Sequence, residues 1–102
     1  MPIPAKDYDD FTYERAEKVP ARGGGVYLFA DRNYEIVQIG SASGSPLSLQ
    51  EKLFEIIRGT GPLRAKIRYY WAEQTDNYRA REQELLEEYK QAHGGELPPG
   101  NR

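Results

Sequence analysis

The chain has no cysteine and a single histidine, His93. Without cysteine there are no disulfides, no thiolate nucleophile and no cysteine-ligated zinc. With one histidine, a site built on several imidazoles is excluded. Metal chemistry would have to rest on carboxylates, which suit hard cations. No apolar run approaches the ~20 residues that cross a bilayer. The opening MPIPAKDYDDF lacks a basic region followed by an apolar one, so no secretory signal is expected. These absences make a cytoplasmic protein with no membrane partner the default expectation.

What remains is globular. The chain has 102 residues, 38% of them hydrophobic and 29% charged, enough for one domain and too little for two. A mean hydropathy of -0.81 implies a thin core. Eight tyrosines, three phenylalanines and one tryptophan offset this with volume, and tyrosine can keep its hydroxyl in water. The formal net charge is -2, whereas a dedicated nucleic-acid binder is more often basic. The distribution is uneven, however. Arg58, Arg64, Lys66 and Arg68 occur with no acid among them, while acids gather in residues 7–17 and 73–88. This basic stretch is a candidate nucleic-acid contact, or else an ordinary solvated surface.

Residues 1–18 form an arm with at most one short helix. It carries Pro2 and Pro4, with Phe11 and Tyr13 as candidate anchors to the core. Arg22 and the three glycines after it mark a turn into a strand; no P-loop or dinucleotide fingerprint follows them. Residues 26–30 are rich in strand formers, 31–33 make a turn, and 34–40 read as a second strand, giving a hairpin. Strict alternation would put Ile39 on one face and Gln38 with Ile36 on the other. Residues 41–48 form a loop. A helix follows to about Arg58, opened either by Ser45 with Pro46 or by Ser48 with Glu51 as a capping box. Leu49, Leu53, Ile56 and Ile57 give that helix an apolar stripe. Residues 63–66 are ambiguous, and 67–72 form a third strand. Asp76 or Asn77 caps a last helix, which Gly94 and Gly95 terminate.

The expected fold is therefore α+β: a small three-stranded sheet flanked by helices, in β-β-α-β-α order after the arm. Glu82 stands out on the last helix. It shares a face with Leu85 and Leu86, at the edge of the stripe that packs. A carboxylate there is paired, metal-bound or turned to water, and Arg79 and Lys52 are candidate partners. Tyr27 follows the glycines, which would permit close approach by a ligand.

Gly25-Val26-Tyr27, ten further residues, then Gln38-Ile39-Gly40 resembles the two-part signature of the GIY-YIG nucleases. The loop and helix that follow, then a strand and a helix carrying Glu82, Leu85 and Leu86, continue the likeness. So does the closing Pro98-Pro99-Gly100-Asn101. The resemblance covers residues 19–102 and implies a GIY-YIG-like domain that hydrolyses DNA with one divalent cation, Mg²⁺ or Mn²⁺. It implies Tyr27 as a catalytic tyrosine, Glu82 as the metal ligand, Gly25 and Gly40 as motif glycines and Asn101 as the closing motif residue. The second motif tyrosine is replaced by Gln38, which offers no phenolic proton. The helix arginine is replaced by Lys52, which loses the bidentate fork for phosphate. The family histidine has no counterpart. The two expectations are a metal-dependent endonuclease on DNA, or a catalytically reduced module that binds nucleic acid or protein. A protein partner would then supply target specificity.

Overall fold

The structure, a computed structural model, describes residues 8–101; Pro2 and Pro4 of the arm lie outside them. In chain order the elements are β1 (Asp9–Asp10), α1 (Tyr13–Ala16), β2 (Gly25–Ala30), β3 (Ile36–Ala42), α2 (Leu49–Ile57), α3 (Pro62–Lys66), β4 (Tyr69–Gln74) and α4 (Tyr78–Ala92). A short 3-10 turn at Pro99–Asn101 follows.

The fold is α+β. The sheet has four antiparallel strands in the order β1-β4-β2-β3 and not the expected three. The extra strand, β1, has no strand periodicity of its own, being two aspartates. It forms because Phe11 inserts into the core and draws the preceding backbone against Tyr69 and Tyr70 of β4. The short helix expected in the arm is α1, capped by the Thr12 hydroxyl.

β2 is the middle of the molecule. Its run of apolar side chains is buried at every position because helices cover both faces of the sheet. On one face Tyr27 and Phe29 pack with Phe11 just after β1, Ala16 of α1, and Leu49 and Leu53 of α2. On the other, Val26, Leu28 and Ile39 pack with Leu85 and Tyr89 from α4. Residues 63–66, left open by the sequence, form α3 because Pro62 supplies a favourable first position. Of the two possible helix starts, the Ser48–Glu51 capping box opens α2.

The hairpin departs from strict alternation. Phe29 pairs with Gln38 but Ala30 pairs with Ile36, so Val37 is an extra residue, a β-bulge. The bulge reverses the facing beyond it, and Ile36 joins Ile39 against α4. Gln38 therefore shares its face with Phe29, not with Ile36. In the connecting turn Tyr34 has φ 62°, a left-handed conformation that costs a bulky residue about 1–2 kcal/mol.

β3 is an edge strand, and its free edge is covered by the C-terminal turn. The Asn101 side chain accepts from the Ile39 N–H and donates to the Ile39 carbonyl, each at 2.8 Å. The amide thus takes the place of a neighbouring strand. Asn101→Ala leaves two backbone groups of a part-buried strand unpaired, and a loss of about 1–3 kcal/mol is expected in urea denaturation. Asn101→Asp should do no better, because its carboxylate would face the Ile39 carbonyl.

Candidate functional site

Tyr27 lies opposite Gly40 across the β2–β3 ladder. A Cβ at Gly40 would collide with the outer end of the Tyr27 ring, so glycine is what lets the phenol lie across the edge strand. The ring is wedged against Phe29, with centroids 4.8 Å apart, and Tyr27 is only 4% exposed. Burial, together with the nearby Glu82 and Glu55 carboxylates, pushes the Tyr27 hydroxyl up to about 12. At neutral pH it is therefore a protonated hydrogen-bond donor.

Glu82 reaches the same stretch of β3 from α4, which packs over the opposite face. Its Oε1 accepts the Ser41 hydroxyl at 2.5 Å. Neither Arg79 nor Lys52 is the partner seen for it; a serine next to the motif glycine is. Because β3 is the edge strand and Gly40 has no side chain, the Glu82 charge is felt at the Tyr27 hydroxyl although the two side chains come from different faces. Lys52 is brought to this neighbourhood through Glu55, which its Nζ meets at 3.4 Å one turn along α2. Gln38 sits two pairs along from Gly40, opposite Phe29 and on the Tyr27 face.

Gly40→Ala tests this geometry. The new methyl meets a ring that Phe29 prevents from retreating, so a loss of about 1–3 kcal/mol is expected. Gly40→Ala combined with Tyr27→Leu should recover much of that loss, measured by thermal denaturation. Tyr27→Phe should not rescue it, because the ring carbon that clashes remains.

The other singled-out residues are not part of this cluster. Gly25 is needed for close packing, but the neighbour is the β4 backbone and Leu49, not a ligand. Asn101 is engaged by the β3 backbone. Arg64 is turned inward: its guanidinium lies 4.9 Å from the Phe11 ring centroid and donates to the Ile57 carbonyl at 3.2 Å. Arg58, Lys66 and Arg68 are exposed, Arg58 at the C-cap of α2 and the other two around the α3–β4 connection. His93 stacks on Tyr89 at the end of α4, and its Nδ1 lies 2.8 Å from the Tyr89 carbonyl.

Three contributors escaped the sequence reading. Ser41 and Glu55 carried weak signals: a hydroxyl directly after a motif glycine, and an acid one helical turn after Lys52. The third, Arg81, is a structural charge. It is 7% exposed and paired with Glu73 at 3.1 Å and Glu84 at 3.2 Å, which ties α4 to β4.

For a metal ion the donor set is sparse. Among the described residues no three of His, Cys, Asp and Glu gather into one cluster. Of the two carboxylates that bear on the Tyr27 hydroxyl, Glu55 is held by Lys52 and Glu82 is not. Such a set is compatible with a cation that keeps its waters and takes phosphate oxygens as further ligands. Among the described residues no helix is long and apolar enough to cross a membrane. No protein-family model matches the sequence, and no curated protein sequence matches it either.

Proposed function

We propose that the chain is a GIY-YIG-type phosphodiesterase acting on DNA, with Tyr27 and Glu82 at its centre. The observation that carries this reading is the approach of the two groups around Gly40 and Ser41. The two residues come from separate elements, one buried and one at a helix edge, yet their electrostatics are coupled. The adjacency of the two motif strands, with the glutamate helix laid across the second of them, also supports it.

In this reading Glu82 would hold Mg²⁺ or Mn²⁺, with the Ser41 hydroxyl fixing the carboxylate's orientation. When bound, such an ion would supply neutralisation of phosphate charge and a more acidic water. Tyr27 donates a hydrogen bond that orients the attacking water. Burial keeps this phenol protonated and the Glu82 and Glu55 carboxylates reinforce it, so Tyr27 serves as a donor and not as a general base. With the phenol protonated, the attacking water gives its proton to solvent, so cleavage should rise with pH only until the phenol itself ionises and the donor is lost. Lys52 meets the phosphate by exchanging Glu55 for it.

The test is cleavage of supercoiled, nicked and branched DNA with Mg²⁺ or Mn²⁺, with wild type, Glu82→Ala and Tyr27→Phe compared side by side. No cleavage by the wild type, or equal cleavage by all three, sinks the proposal. The elevated Tyr27 hydroxyl favours a second reading, a catalytically reduced module. Salt-dependent retention of DNA without turnover would select that reading. A salt-insensitive complex with another protein would select its partner-binding form.

A further inference from the structure

The turn of the hairpin holds features that the cluster around Tyr27 and Glu82 does not use. Tyr34 is 55% exposed, the most exposed large hydrophobic side chain among the described residues. Its ring is stacked on Tyr69, with centroids 4.4 Å apart and an interplanar angle of 11°, so one face is backed and the ring is held in a fixed plane. Tyr8 leans on it at 6.0 Å. The backbone under it has φ 62°, where a glycine would be the easy choice. An open groove of about 920 Å³ runs past this ring, and Arg32, Lys66 and Arg68, all solvent-exposed, line it. Two acids line the same groove: Asp31 is engaged by the turn, its Oδ1 accepting from the Asn33 and Glu35 N–H groups, and the exposed Glu35 leaves the cations in the majority.

A rigid aromatic plane on a groove that also carries three cations fits a planar aromatic ligand that bears phosphates. We infer that this groove binds single-stranded DNA, with an unpaired base stacked on Tyr34 and the flanking phosphates on Arg32, Lys66 and Arg68. The choice of DNA rests on the phosphodiesterase reading; the stacking geometry does not. The basic stretch noted in the sequence then divides. Arg64 supports the fold, while Lys66 and Arg68 join Arg32, from a distant turn, on one groove.

The experiment is fluorescence anisotropy of a short fluorescein-labelled oligothymidine in EDTA, where no cleavage occurs, with a blunt duplex of the same length alongside. Saturable binding that weakens with salt and exceeds that of the duplex is expected. Tyr34→Gly should weaken it about tenfold. The variant's glycine suits the left-handed turn, so its fold should survive, with circular dichroism as the check. Tyr34→Phe should bind as wild type, and Lys66→Ala with Arg68→Ala should flatten the salt dependence. Absence of saturable oligothymidine binding, equal binding by wild type and Tyr34→Gly, or preference for the duplex overturns the inference. Oligothymidine binding without nuclease activity overturns the phosphodiesterase reading and leaves the groove standing. Cleavage indifferent to Tyr34, with no oligothymidine bound, does the reverse.

Discussion

Glu82→Ala is expected to leave a folded protein in which the metal-dependent DNA cleavage proposed above has fallen roughly 10²–10³-fold, the scale seen when a group that stabilises transition-state charge is removed. The fold should survive because Glu82 is only half-buried and because its visible partner, the Ser41 hydroxyl, can turn to water. Removing the charge also removes one of the influences that raise the Tyr27 hydroxyl. The Tyr27 hydroxyl should therefore titrate at lower pH in Glu82→Ala than in the wild type, read from ultraviolet absorbance at alkaline pH. The result separates two explanations of lost activity. A downward shift in titration with lost cleavage places Glu82 beside Tyr27. Lost cleavage with an unchanged titration would mean that the two act independently. Ser41→Ala is the milder companion, because it frees the carboxylate without deleting it.

Phe29→Ala should be the most damaging substitution for stability, by about 3–5 kcal/mol. Phe29 is fully buried in the central strand and packs against Phe11 at 4.7 Å and Tyr27 at 4.8 Å between ring centroids. It joins the arm to the body of the fold and also forms the wall behind the candidate catalytic tyrosine. Domains of this size are stable by only about 5–15 kcal/mol, so the variant should unfold at much lower urea or remain partly unfolded. Phe29→Leu, which retains most of the volume, should cost less than about 1.5 kcal/mol. A flat response to Phe29→Ala would mean that the arm and Tyr27 are not anchored through this ring.

The elements with their own local signal were legible in the sequence. The hairpin followed from strand formers flanking a polar turn, α2 from its capping box, and α4 from its spacing and closing glycines. Glu82 was conspicuous because a charge on an apolar stripe needs an explanation. What was hidden depended on contacts distant in the chain. β1 exists only because β4 offers an edge. The bulge at Val37 leaves no mark in composition, yet it decides which way Ile36 faces. Ser41 and Glu82 are 41 positions apart, and nothing local announces their hydrogen bond. Asn101 was singled out as a motif residue, but its hydrogen bonds to Ile39 are structural. Arg64 looked like a phosphate contact and is folded inward, because a guanidinium can satisfy carbonyls and cover an aromatic ring at once.

The amide of Asn101 has one more consequence. An edge strand with free N–H and C=O groups is a template on which another chain can grow a sheet. By occupying both groups at Ile39, Asn101 denies that template to a second molecule at the level of the candidate site. The residue that holds the strand in register is thus also a guard against self-association. A chain lacking this side chain should be recognised by its tendency to assemble as concentration rises, before any loss of helix or sheet is seen.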